Sequence, residues 1–287
     1  MVPARGLVYR EPMPMEVRTG RPGRALAGAV LGYTGFAQHE PAPVSFRELP
    51  CTYVPLIIDL GEGWSIGRPG APGLAPERLG SFVAGLTDGP TLVGHGGRAR
   101  CLQIDLTPLG ARRLLGLPMS EIAHRSVSLE DVLGPGAGLL VERIAEAPDW
   151  DRRFGLVDGA LASRILAAPA PSAPVAWALG QMVASGGRVA IGHLAREIGW
   201  SHRRLIARFR DDVGLAPKVV ARIVRFERLT DLLRDEPLIG WARAAAACGY
   251  SDQAHLAREV RDMAGLTPTA LRAEGVNSVQ DAPPPRS

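Results

Sequence analysis

The spacing of apolar residues changes near residue 106. Between residues 27 and 106, short apolar runs alternate with turns rich in glycine and proline, a pattern typical of β-strands. The glycine- and proline-dense segment 61–76 is predicted to be a loop. The spacing favours a compact β-sandwich or a small barrel, with predicted strands at residues 29–33, 53–58, 81–86, 91–93 and 101–106.

After residue 106, apolar residues recur at intervals of three and four, which indicates amphipathic helices. Thr107 followed by Pro108 predicts a helix N-cap with proline in the first helical position. The predicted helices cover residues 107–115, 129–133, 139–147, 150–166, 175–185, 191–198, 202–211, 217–234, 239–248 and 252–264, and a last short helix ends at 272.

The helical pattern is interrupted by alanine, proline and serine at residues 167–174. This stretch has no apolar periodicity, so it is predicted to be a linker between two domains. The chain is therefore expected to be α+β. Its predicted parts are a loosely ordered segment at 1–25, a β-rich domain with trailing helices at 26–166, the linker, an all-α domain at 175–275 and a disordered tail at 276–287.

Composition places the chain among ordinary globular proteins. Hydrophobic residues make up 46% and charged residues 22% of its 287 residues. No run of eighteen apolar residues predicts a membrane span, and the first residues lack the apolar core of a secretion signal, so a cytoplasmic protein is expected. The three cysteines fit neither a disulfide framework nor a zinc-ligand spacing.

The positive charge is concentrated in the C-terminal third. Residues 1–174 are neutral overall, whereas residues 175–275 hold 15 basic and 11 acidic residues, a net charge of +4. An excess of arginine in one region suits a surface that contacts phosphate. The charge is modest and supports nucleic-acid binding only together with a motif.

That motif occurs twice. Residues 194–201, followed by Leu205 and Phe209, and residues 244–251, followed by Leu256 and Val260, each predict a short helix, a Gly-aromatic-Ser turn and a second helix. This is the outline of a helix-turn-helix, whose second helix enters the major groove of DNA. Two copies about fifty residues apart, joined by one long amphipathic helix, indicate a DNA-binding domain.

Residues 175–275 resemble the AraC/XylS family of bacterial transcription regulators. The resemblance is carried by Gly199-Trp200-Ser201, by Cys248-Gly249-Tyr250-Ser251-Asp252-Gln253, and by the Gly-Leu-Ala-Pro and Gly-Leu-Thr-Pro segments at 214–217 and 265–268. It implies two helix-turn-helix units, a linker helix between them, and recognition helices that enter successive major-groove faces of one DNA site.

The chain departs from the family pattern in both units. Leu256 and Val260 stand where aromatic residues are usual, and both substitutes are apolar. Ala207 stands where an arginine is usual, and the arginine is instead Arg208, which a rotation of about 100° carries to another face of the helix. The first recognition helix is therefore expected to depend on Arg203 and on phosphate contacts.

The resemblance also implies which side chains meet DNA. Arginine and glutamine suit guanine and adenine, and small apolar groups suit the thymine methyl group. The expected base contacts are Arg203, Ile206, Ala207, Gln253, Ala254, Ala257 and Arg258. The expected phosphate contacts, which set register rather than sequence choice, are Ser201, Arg204, Arg208, Arg210, Ser251 and Arg261. The serines are also natural N-caps, and the predicted core residues are Trp200, Leu205, Phe209, Tyr250, Leu256 and Val260.

The N-terminal part looks like the sensor domain of some regulators of this family, through residues 49–58 and the Thr-Pro-Leu-Gly-Ala segment at 107–111. The resemblance implies a cupin-like β fold that senses a ligand or dimerises. The expected partners are thus double-stranded DNA with two half-elements per monomer, a small-molecule effector or a second subunit, and RNA polymerase. Neither a cofactor nor a membrane is expected, and activation and repression both stay open.

Two alternatives to a ligand-controlled regulator stay open. An enzyme with an autoregulatory DNA-binding part would need a catalytic or metal site, and no ligand spacing joins His39, His95, His124, Asp59, Asp105 and Cys101. A regulator without a ligand would use the N-terminal domain only to dimerise. An apolar pocket with a few inward polar groups would argue against this second alternative, and Trp64 and Trp200 are candidates to line one.

Overall fold

The N-terminal region, residues 16–167, is built on two antiparallel sheets. The computed structural model describes residues 16–67, 69 and 76–274. The strands are β1 Glu16–Gly20, β2 Val30–His39, β3 Val44–Glu48, β4 Val54–Asp59, β5 Trp64–Gly67, β6 Glu77–Leu79, β7 Phe82–Ala84, β8 Thr91–His95, β9 Arg98–Leu106 and β10 Ser126–Ser128. Six form one sheet in the order β1-β2-β9-β4-β7-β10, and four form the other in the order β3-β8-β5-β6.

The six-stranded sheet is covered on both faces because side chains alternate along each strand. On β4, Leu56 and Ile58 belong to the main hydrophobic core under the helices, whereas Ile57 belongs to a second cluster with Trp64 of the other sheet. On β9, Cys101 likewise belongs to this second cluster. The space between the two sheets is therefore lined from both sides by apolar side chains.

Eleven α-helices are found in the described residues. Four follow the strands or lie between them: α1 Pro108–Leu115, α2 Leu129–Leu133, α3 Gly136–Glu146 and α4 Trp150–Ala167. The other seven form the C-terminal region, residues 173–274: α5 Ala173–Ala184, α6 Ile191–Glu197, α7 His202–Val213, α8 Pro217–Asp235, α9 Trp241–Cys248, α10 Gln253–Ala264 and α11 Pro268–Glu274.

The predicted α+β class, with a β-rich part followed by an all-helical part, is confirmed. Thr107 caps α1 as expected, since its side chain accepts from the backbone N–H of Gly110. The helix bounds agree with the prediction to within about three residues. Between α4 and α5 the chain is non-helical over residues 168–172, inside the predicted linker.

The strand prediction was incomplete. Residues 16–20, predicted to be loosely ordered, form β1, because every one of them pairs with a residue of β2. Residues 64–67, predicted to be part of a loop, form β5 between β6 and β8. The short strands β3, β6 and β10 were also not predicted. Residues 1–15 of the segment predicted to be loosely ordered, and the predicted disordered tail at 276–287, lie outside the described residues.

Polar contacts and a shared hydrophobic core join the two regions. Thr52 donates to the Glu227 carboxylate of α8 through its backbone N–H and its hydroxyl, both at 2.7 Å. Arg47 donates from Nη1 to the carbonyl of Ala264 at the end of α10 at 3.0 Å. Arg112 of α1 lies 3.9 Å from Asp212 of α7, measured from Nε to Oδ1. Buried residues of both regions join in one continuous hydrophobic core.

Among the residues that the structure describes, no helix has both the length and the apolar character needed to cross a membrane.

Candidate nucleic-acid interface

Two helix pairs in the C-terminal region have the same local construction. Helices α6 and α9 each lead into a glycine with positive φ, 67° at Gly199 and 80° at Gly249, followed by an aromatic residue and the second helix. A positive φ suits glycine because it lacks a Cβ atom. The predicted turns are thus confirmed in both copies, and α7 and α10 are the second helices.

The N-caps of the two second helices differ. Ser201 caps α7, as predicted, by accepting from the backbone N–H of Arg204 at 3.2 Å. Asp252, not Ser251, caps α10, by accepting from the backbone N–H of His255 at 2.7 Å. This hydrogen bond is the main cause that holds the pKa of Asp252 below its usual value. Aspartate is as good an N-cap as serine, so residue type alone did not distinguish the two.

The buried residues of α7 and α10 determine which side chains of these two helices point outward. Leu205 and Phe209 of α7 and Leu256 and Val260 of α10 are fully buried, and Tyr250 is also buried, all as predicted. Trp200 is a correction: it is only half-buried, and the guanidinium carbon of Arg204 lies 4.6 Å from its ring centroid. A cation over an aromatic ring is attractive, so this ring supports an arginine on the surface.

Salt bridges also hold helix α10 in place. Glu259, 4% exposed, faces the long helix α8 and pairs with Arg222 at 3.2 Å and with Arg225 at 3.6 Å. Arg222 also pairs with Asp262 at 2.9 Å. These contacts fix the rotation of α10 about its axis. This network was not predicted, although the spacing of the acidic residues at 259 and 262 puts them on one helix face.

The predicted base-contacting residues lie on the opposite faces. Arg203, Ala207, Gln253, Ala254 and Arg258 are exposed, and Ile206 and Ala257 are half-buried. The predicted phosphate-contacting residues Ser201, Arg204, Arg208, Arg210, Ser251 and Arg261 are all exposed. Within this second set, Arg208 also lies 3.4 Å from the Asp212 carboxylate, from Nη2 to Oδ2.

The six residues considered for a metal or catalytic site do not converge. Asp59 accepts from the Trp64 indole at 3.0 Å, Asp105 accepts from Gln103 at 2.8 Å, and His124 lies 3.4 Å from Asp88. Within the described ranges, no three His, Cys, Asp or Glu side chains come together in a way that could hold a metal ion.

Between the two sheets of the N-terminal region lies a cavity of about 480 Å³. Of the two tryptophans proposed to line a pocket, Trp64 lines this cavity and Trp200 does not. The aromatic and aliphatic part of the wall includes Phe46, Ile57, Phe82 and Val93. The size and apolar lining are typical of sites for small organic molecules.

A family model described as a helix-turn-helix domain matches residues 194–274, which span both helix pairs and the helix between them. Residues 194–274 belong to the AraC-type helix-turn-helix family. This part of the chain is therefore a DNA-binding helix-turn-helix domain. No curated protein shows significant sequence similarity to the chain.

The solved structures with a similar fold have low sequence identity to this chain. ToxT from Vibrio cholerae is 8% identical with a TM-score of 0.49, over 85% of this chain and 98% of that one. ToxT of strain SCE256 with bound unsaturated fatty acid is 7% identical with a TM-score of 0.46, over 88% and 96%. The C-terminal domain of AraT, a response regulator from Geobacillus stearothermophilus, is 18% identical with a TM-score of 0.35, over 38% and 91%.

Proposed function

We propose that the protein binds operator DNA sequence-specifically through α7 and α10, and that the N-terminal region controls this binding in response to a small molecule. The observation that carries the first part is the division of each recognition helix into two faces. The buried face packs on the domain, and the exposed face holds side chains suited to base edges.

On α10 the proposed reading residues are Gln253, Ala254, Ala257 and Arg258. Leu256, Glu259 and Val260 are buried, so rotation of the helix cannot bring another set outward without breaking the core and the ion pairs to α8. Arg258 is exposed and suits guanine, whereas Gln253 suits adenine. Arg261 follows Arg258 by about one turn of the helix, and we assign it a phosphate contact.

On α7 the proposed reading residues are Arg203, Ile206 and Ala207. The small Ala207 at an exposed position gives close approach to a thymine methyl group but no hydrogen bond. Ser201, Arg204, Arg208 and Arg210 would fix the helix on the backbone, together with Ser251 of the second unit. We therefore expect α7 to contribute more affinity and α10 more sequence preference.

Control by a small molecule is supported by the cavity of about 480 Å³ in the N-terminal region. A region that served only to dimerise would not need such a space. A ligand regulates only if its affinity differs between two arrangements of the protein. A homodimer and contact with RNA polymerase, both implied by the family resemblance, stay predictions.

The test is selection of random duplexes by the full-length protein, followed by binding measurements on the selected sequence at several salt concentrations. We expect a two-part motif with elements about one helical turn apart. Arg258→Ala should weaken binding by about 1–3 kcal/mol and relax preference at one base pair.

The matched control is Arg143→Ala, which removes an exposed arginine of α3 in the N-terminal region and the same charge. It should leave both affinity and preference unchanged. If Arg258→Ala behaves like Arg143→Ala, Arg258 does not read DNA. Binding that is strongly salt-dependent but shows no selected motif would contradict sequence-specific recognition.

A further inference from the structure

The floor of the cavity is the face of β4 and β9 that carries Ile57, Cys101 and Gln103, all three of which line the cavity. Gln103 lies directly opposite Ile57 in the register of the two strands. Ile57 and Cys101 are buried and apolar, and Gln103 is 4% exposed. In the part of the chain that the structure describes, no other buried polar side chain lines the cavity. The floor is therefore apolar apart from one amide.

A carboxylate orients this amide. Nε2 of Gln103 donates to Oδ1 of Asp105 at 2.8 Å. Burial raises the pKa of Asp105 to about 6, so at pH 7.5 its carboxylate is ionised and only accepts hydrogen bonds. The amide nitrogen therefore faces Asp105, and the amide oxygen is left as an acceptor. None of the described residues donates a hydrogen bond to this oxygen.

An acceptor without a donor is unfavourable in such a floor. Burial of a polar group without a hydrogen bond opposes folding, and an apolar residue of the same length would avoid this cost. A ligand that brings a donor, such as a hydroxyl group, removes the cost when it binds. The position of Gln103 thus favours a ligand with a hydroxyl over a ligand with an apolar surface alone.

The charged side chains of the wall have both signs, and none of them is buried. Glu77, His124 and Arg125 are exposed, so they belong to the mouth of the cavity. Glu48 is half-buried and already takes part in an interaction within the chain. Charges of both signs that water reaches attract an ion only weakly. An ion at the floor would lose its water without a buried partner of opposite charge, so the cavity favours a neutral molecule.

We propose that the cavity binds a small neutral molecule with an apolar body and a hydroxyl group that donates to the amide oxygen of Gln103. The apolar wall, which includes Phe46, Trp64 and Phe82, contacts the body of this molecule. The ligand class is argued from the cavity alone. Its use as a signal that controls DNA binding rests on the proposed function.

The binding test uses the full-length protein at pH 7.5 and four probes with one common body: 4-phenylbutan-1-ol, its methyl ether, 4-phenylbutan-1-amine and 4-phenylbutanoate. Isothermal titration should show the alcohol binding at least about threefold more tightly than the ether, the effect of one neutral hydrogen bond. The alcohol should also bind at least about fivefold more tightly than the amine or the carboxylate. An ion that binds as tightly as the alcohol, or an alcohol that does not bind, would overturn the ligand class.

The role of Gln103 is tested by Gln103→Met, which keeps the length of the side chain and removes the acceptor. The affinities of the alcohol and the ether should then agree to within about twofold, because only the alcohol used the acceptor. Gln181→Met, at an exposed glutamine of α5, is the matched control and should preserve the difference.

A merely structural role of Gln103 would weaken both probes alike and leave the ratio of their affinities unchanged. An unchanged ratio in Gln103→Met therefore overturns the hydrogen bond to Gln103. Circular dichroism shows whether each variant is folded, and Gln103→Leu makes the same test if Gln103→Met is not.

The location of the site is tested by Ala84→Phe, which places a ring in the lining at β7. This variant should abolish binding of the alcohol and the ether. Unchanged binding of the alcohol in folded Ala84→Phe would mean a site outside the cavity and would overturn the proposal.

The same protein is also tested for selection of a DNA motif, which separates this proposal from the proposed function. A selected motif without a preference for the alcohol retains sequence-specific DNA binding and removes this ligand class. A preference for the alcohol without a selected motif leaves the ligand class and removes the proposed function.

Discussion

The two helix-turn-helix units are alike in local sequence but are held by different neighbours. Helix α10 is fixed to the linker helix α8 by the pairs of Glu259 with Arg222 and Arg225. Helix α7 packs against α1 of the N-terminal region, and its Asp212 lies 3.9 Å from Arg112. Similar motifs can therefore have different environments. The first unit contacts the N-terminal region through Asp212 of α7, and the second contacts it through the carbonyl of Ala264 at the end of α10.

The largest effect that separates the two units concerns their cores. Phe209 of α7 and Val260 of α10 occupy equivalent places in the repeat, and both are fully buried. Phe209→Ala should lower the free energy of unfolding by about 4 kcal/mol, because it removes a whole ring and leaves a cavity. Val260→Ala should cost about 2 kcal/mol, since it removes two methyl groups. Urea denaturation measures both, and equal losses would show that α7 repacks around the missing ring.

The next effect concerns the ion pairs of α10. Glu259→Ala leaves two arginines without their buried partner and should cost about 3 kcal/mol. Asp262→Ala removes the exposed partner of the same Arg222 and should cost less than about 1 kcal/mol. Hydrogen exchange should locate the loss of Glu259→Ala in α10 and α8. A loss of similar size in Asp262→Ala would mean that burial of the carboxylate does not decide the effect.

A smaller effect should appear only in the first unit. Burial raises the pKa of Asp212, and Arg208 and Arg112 oppose this rise. Arg112→Ala removes one of these cations and should raise the pKa of Asp212 further, at a cost of about 1 kcal/mol at neutral pH. Faster hydrogen exchange is expected in α7 and not in α10. Equal increases of hydrogen exchange in α7 and α10 would contradict the view that different neighbours hold the two helices.

An effect of similar or smaller size depends on pH and concerns the contact of Thr52 with Glu227 of α8. Burial raises the pKa of Glu227 to about 7, while the two hydrogen bonds from Thr52 lower it. Because the pKa of Glu227 in the folded state lies above its ordinary value, the contribution of this group to stability is greatest in acid. This contribution falls as the pH rises towards 7. Thr52→Val removes one donor to the carboxylate, so it should cost about 1 kcal/mol at pH 8 and less at pH 5.

Thermal unfolding of Thr52→Val at both pH values measures this difference. Ser163→Ala is a control, since its hydroxyl bonds only to the carbonyl of Ala160 on an exposed face of α4. A loss in Thr52→Val that is the same at pH 5 and pH 8 would show that the ionised form of Glu227 is not what the hydroxyl stabilises.

The amino-acid sequence by itself determined the helices and the turns of the C-terminal region. Apolar residues at intervals of three and four, glycines at the turns and Ser201 as an N-cap act within a few residues, so local rules predict them. Leu205, Phe209, Leu256 and Val260 were predicted to be core residues for the same reason, and all are buried.

Only the tertiary structure decided features that depend on partners distant in the chain. Strand β1 exists through its pairing with β2, and the cavity exists because two sheets face each other. Thr52 and Glu227 are 175 residues apart in the chain, and no local pattern joins them. Trp200 was predicted as core but is half-buried at the edge of that core, with Arg204 over its ring. Local periodicity fixes which face of an element is apolar, and the packing of whole elements decides what covers that face.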